Sequence, residues 1–107
     1  MKRHWFFILL SLAAQDRHGL AIMRDVLELT DGQRKLWPVT LYGSLDELCE
    51  RGWIRALDAP PRDADASARQ RWFRITAAGR RALAAEMDEM SATLRVAAQR
   101  LAHSGPS

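Results

Sequence analysis

Apolar residues run unbroken from Trp5 to Leu10 and continue, past a lone Ser11, through Leu12, Ala13 and Ala14. A stretch that is apolar nearly all round predicts a short helix covered by more than one neighbour. Gln15-Asp16-Arg17-His18-Gly19 is a polar break, after which Leu20, Ile22, Met23, Val26, Leu27 and Leu29 recur at helical spacing and predict an amphipathic second helix. Thr30-Asp31-Gly32-Gln33 ends it, Gly32 being the residue best able to take the left-handed conformation at a helix terminus. Pro38 opens a third helix at a position where its missing N–H costs least. Leu41, Leu45, Leu48 and Cys49 form its buried stripe, and Thr40, Tyr42, Gly43, Ser44, Asp46 and Glu47 its other face, before Gly52 closes it. Ile54–Leu57 and Arg71–Ile75 read as two strands of a hairpin whose loose tip runs from Asp58 to Gln70.

Thr76 suits a helix N-cap, and nothing after Gly79 interrupts helix until about His103. At ~1.5 Å per residue such a helix is about 40 Å long, more than the roughly 30 Å width of the domain before it, so part must overhang. Along it Leu83, Met87, Met90, Leu94, Ala97 and Leu101 are separated by 4, 3, 4, 3 and 4 residues, the narrow seam of a helix packed on another helix. Residues 104–107 read as a disordered tail. The fold class is therefore mainly α with a small two-stranded β-wing. Residues 1–76 form a winged-helix unit, and 77–103 a helix that packs on it and reaches beyond.

Composition narrows the function classes. At 107 residues the chain fits one domain and excludes a multidomain enzyme. Lys2-Arg3-His4 ahead of the first apolar run imitates a secretory leader, but the run lies at the short end for one and is read as a buried helix; it is also too short to span a bilayer. A single cysteine, Cys49, excludes an internal disulfide and a cysteine-cluster zinc site and fits a reducing cytoplasm. It falls on the apolar stripe as a small core residue, with a thiol sensor as the sharper alternative. Asp46/Glu47 and Asp88/Glu89 are neighbours in sequence, so on a helix their carboxylates diverge and form no acid/base pair. With no phosphate loop, nucleophile elbow or metal cluster, no enzyme and no cofactor is expected.

The order helix, helix, helix, hairpin, long helix is that of a winged helix-turn-helix, whose third helix enters the major groove by its N-terminal end. Thr40, Tyr42, Gly43 and Ser44 suit that end. Four segments then stand in order: His18-Gly19-Leu20-Ala21-Ile22-Met23; Pro38-Val39-Thr40-Leu41-Tyr42; Leu48-Cys49-Glu50-Arg51-Gly52-Trp53-Ile54; and Arg71-Trp72-Phe73-Arg74-Ile75-Thr76-Ala77-Ala78-Gly79-Arg80. Together they resemble the PadR family of bacterial transcriptional regulators over roughly residues 5 to 103. The resemblance implies a cytoplasmic homodimer that binds double-stranded DNA, usually as a repressor, with the seam from Leu83 to Leu101 as its interface. It also implies that Thr40 and Tyr42 touch DNA from the recognition helix, while Arg71 and Arg74 lie near the backbone on the wing. Leu20 in place of the family's usual Tyr, Val39 in place of Gly or Ser, and the acids Asp58, Asp63 and Asp65 at the hairpin tip depart from its pattern.

Sixteen Lys and Arg against thirteen Asp and Glu give only +3, yet Arg69 to Arg81 holds five Arg and no acid. Such a stretch can neutralise phosphates without reading sequence, or can be a plain solvated face. Trp5 or Phe6, near the dimer interface in this family, would line a pocket for a flat apolar effector, although most of the four tryptophans read as core. His18 reads as a cap or packing residue. A second function class stays open: a winged-helix module that dimerises and binds protein, its DNA surface blunted by Val39, Asp46, Glu47 and the acidic tip.

Overall fold

A computed structural model describes residues 1–62 and 70–103. The tip acids Asp63 and Asp65, Arg69 and the expected tail at 104–107 lie outside the described residues. The chain runs α1 (Arg3–Ala14), β1 (Arg17–His18), α2 (Gly19–Leu29), α3 (Pro38–Glu50), β2 (Ile54–Ala56), β3 (Trp72–Ile75) and α4 (Ala77–His103). The architecture is mainly helical with a small antiparallel sheet, ordered β1-β3-β2.

The sheet has three strands where the sequence predicts two. β1 comes from the segment read as a polar break, and it pairs Arg17 with Phe73 and His18 with Trp72. A two-residue strand has no alternation to betray it; it exists because β3 offers a free edge there. On the other edge β2 pairs Ile54, Arg55 and Ala56 with Ile75, Arg74 and Phe73.

The core explains the layout. Ile8, Leu9 and Leu12 of α1 are fully enclosed beside Ile22 and Val26 of α2, Leu41, Leu45 and Leu48 of α3, and Ile54, Phe73 and Ile75 of the sheet. α1 is thus covered from several sides, as its all-round apolarity requires. On α2 the buried set is narrower than the sequence suggests: Leu20, Leu27 and Leu29 are exposed. Two glycines allow sharp exits from helices. Gly32 and Gly52 sit at φ 77° and 74°, and their amides bond back to Leu27 O and Cys49 O.

α4 starts on a junction with no spare room. The Thr76 hydroxyl accepts from the Gly79 amide and donates to Gly52 O at 2.6 Å, fixing helix to hairpin. A β-carbon on Gly79 would run into the Trp53 carbonyl oxygen. Further along, Leu83 is buried against the rest of the chain. From Met87 to His103 every residue is exposed, and the molecule is 61 Å long but only 28 by 25 Å across. Leu83, expected in the intermolecular seam, is instead buried in the chain's own core.

Candidate nucleic-acid interface

The N-terminal end of α3 stands clear of the body. Pro38 sits in the first turn with no acidic residue beside it, Val39 is 87% exposed, and Thr40 and Gly43 face solvent. A β-carbon on Gly43 would have nothing within 4 Å of it, so α3 is approachable on this side. Lys35 lies 4.5 Å over the exposed ring of Trp37 just ahead of the helix. Tyr42 is half exposed, and its ring packs on the start of α2, where a β-carbon at Gly19 would lie 3.1 Å from the Tyr42 oxygen. Gly19 therefore lets Tyr42 lie close over the α2 terminus.

Ser44 does not share this face. It is 3% exposed and donates to Thr40 O at 2.6 Å, an intrahelical bond that satisfies its hydroxyl inside the core. Its place three residues after Leu41 and four before Leu48 put it on the buried stripe, a signal present in the sequence.

The structure also separates the two wing arginines. Arg71 lies 5.3 Å over the Phe73 ring and shares a cleft with His18, Leu20, Tyr42 and Gln70, beside the exposed end of α3. Arg74 projects from the opposite side of β3, where both its Nε and its Nη2 donate to the Asp16 carboxylate at 2.7 to 3.2 Å. Arg71 immediately precedes β3 and Arg74 lies within it, and along extended backbone positions three apart face opposite ways. The Asp16 pair raises the Arg74 guanidinium further above its already high range and clamps β3 to the turn before β1. Arg17 is likewise spent on Asp25 at 3.6 Å and on Ser11 O at 3.2 Å.

His18 joins the layers. Its Nδ1 accepts from the Ala21 amide at 3.2 Å, capping α2. Its ring meets Trp72 edge-on at 5.0 Å, and its backbone pairs in the sheet. Burial, then the charge of Arg24, lowers its pKa, which keeps the cap nitrogen free to accept. Burial pushes the Cys49 thiol up, partly countered by Arg71; a thiol held protonated suits packing rather than redox sensing.

Trp5 and Phe6 do not line one pocket. Trp5 is 4% exposed, edge-on to Trp53 at 6.0 Å with Arg51 over both rings, and borders a cavity of about 390 Å³. Phe6 borders another of about 420 Å³ with Phe7, Arg34 and Met90. Among the described residues no cluster of His, Cys, Asp or Glu could hold a metal ion, and no helix is long and apolar enough to cross a membrane.

Three helices, a three-stranded sheet with its hairpin, an open α3 terminus and a protruding last helix define a winged helix-turn-helix protein of the transcription-regulator class. The chain belongs to the PadR-like family of transcriptional regulators, whose profile matches residues 8–85. A transcriptional regulator from Clostridium thermocellum is similar over 89% of this chain and 86% of its own, at 23% identity and a TM-score of 0.74. A PadR family transcription regulator from Clostridium difficile is similar over 91% and 96%, at 18% identity and a TM-score of 0.74. RosR of H. salinarum is similar over 96% of both chains, at 20% identity and a TM-score of 0.64. No curated protein matches the sequence.

Proposed function

We propose that this regulator is a cytoplasmic homodimeric repressor that reads a palindromic DNA operator with the N-terminal end of α3. The observation that carries the reading is the open α3 terminus, with Val39, Thr40 and Gly43 exposed and Tyr42 half exposed, next to Arg71. Thr40 and Tyr42 read base edges, Gly43 admits close approach, and Arg71 meets a phosphate. Ser44 and Arg74 take no part: one is enclosed, the other held by Asp16. The exposed Met87, Met90, Leu94, Ala97 and Leu101 support a second copy as the partner of α4, since α4 projects past its own core. The cavity beside Phe6, Phe7 and Met90 would hold a small aromatic effector that releases the repressor.

The test is binding of Tyr42→Ala to a duplex selected from a random library and to a scrambled duplex. Loss on the order of 10-fold on the selected duplex, with little change on the scrambled one, is expected for a base-reading residue. Equal loss on both would remove Tyr42 from that role. A wild-type protein that shifts no duplex at low salt would favour the protein-binding alternative.

A further inference from the structure

The cleft between the starts of α2 and α3 and the wing has a volume of about 260 Å³ and is lined by His18, Leu20, Tyr42, Gln70 and Arg71. Its chemistry is one-sided: four of these side chains can donate hydrogen bonds, and none is acidic. In His18 the Nδ1 is occupied as acceptor for Ala21 N, so in the neutral ring the proton sits on Nε2, which remains to donate. The Tyr42 ring, packed over Gly19, forms one wall of the cleft. Arg71 is steadied by the Phe73 ring. α2 begins at this cleft, and its first turn contains no acidic residue, so the positive end of the helix dipole is uncompensated there.

We infer that this cleft seats a single backbone phosphodiester of the bound duplex, with His18 Nε2, Gln70 and Arg71 as its donors and Tyr42 as the wall between it and the bases. The inference rests on the DNA-binding reading above and adds a residue, His18, that neither the recognition helix nor the wing supplies. In it, the side chain that caps α2 also fixes where the backbone lies, so the α2 terminus and α3 are registered on the DNA together. A diester fits better than a free anion because the cleft opens beside the exposed α3 terminus, where the backbone flanking an occupied major groove must pass.

Two substitutions separate the cap from the seat. Aspartate and serine both cap helices, so His18→Asp and His18→Ser each leave the Ala21 amide an acceptor. His18→Asp puts a carboxylate where the phosphate would sit. It is expected to melt no lower than wild type yet to bind selected and scrambled duplexes on the order of 10-fold or more weakly. His18→Ser is read against duplexes carrying one uncharged methylphosphonate at a time. One position per half-site should weaken wild type on the order of 10-fold and cost the serine variant little more. A folded His18→Asp that binds like wild type, or a serine variant with the wild-type methylphosphonate profile, would overturn the seat. Saturable shifts of the His18 ring signals with inorganic phosphate alone, unchanged by duplex, would overturn it in favour of a free-anion site. Wild type that binds no duplex at all would instead refute the DNA-binding reading on which the seat depends.

Discussion

Single residues carry the junctions of this molecule. Gly79 is required by the Trp53 carbonyl pressed against it. Gly79→Ala should therefore cost about 2 to 3 kcal/mol in urea unfolding even though alanine favours helix. A cost under about 0.5 kcal/mol would mean that the helix–hairpin contact yields freely. His18 makes stability depend on pH. Its folded pKa is lowered by burial, so the unfolded chain binds the extra proton more readily. Its contribution is full above the unfolded value of about 6.5 and is lost as pH falls through the folded one. His4 is lowered too, mainly by burial, and adds to the same trend. Melting temperature should drop between about pH 7.5 and about pH 5, and less steeply in His18→Asn, which keeps the cap but does not titrate in that range. Equal slopes in the two proteins would exclude His18.

At the scale of elements, the helices were legible from the spacing of their apolar residues and from chemical boundaries: Gly32 and Gly52 at positive φ close α2 and α3, and Thr76 caps the start of α4. β1 was not legible, since two residues carry no period and its pairing depends on an edge made much later in the chain. Other features were present in the sequence but need to be read by face. Ser44 lies on the stripe of Leu41 and Leu48, and Arg71, just ahead of β3, is an odd number of residues from Arg74 within it. The acid-free arginine stretch therefore overstates the charge available to DNA, because Arg74 is consumed by Asp16. Arg71→Ala should lower affinity for all sequences and flatten the salt dependence by about 0.9 per protomer in contact. Arg74→Ala should leave that slope unchanged and weaken the clamp to β1. A flattened slope in Arg74→Ala would return it to the interface.

At the scale of the whole molecule, the small core follows from how the chain is divided. The chain spends a quarter of its length on a helix that is exposed from Met87 onward. Leu94, 68% exposed on the exposed part of that seam, is the place to test a second copy. Leu94→Glu should yield monomers in analytical ultracentrifugation while leaving the circular dichroism of the folded protomer intact; an undiminished dimer would move the interface elsewhere. The central claim is that paired α3 termini read a defined duplex. Its most direct measurement is fluorescence anisotropy of wild type on a library-selected duplex and its scrambled counterpart across a salt series. The expected result is two chains per selected duplex and affinity falling steeply with salt, with a preference on the order of 10³ or more. Equal affinity for the two duplexes at every salt concentration would contradict it.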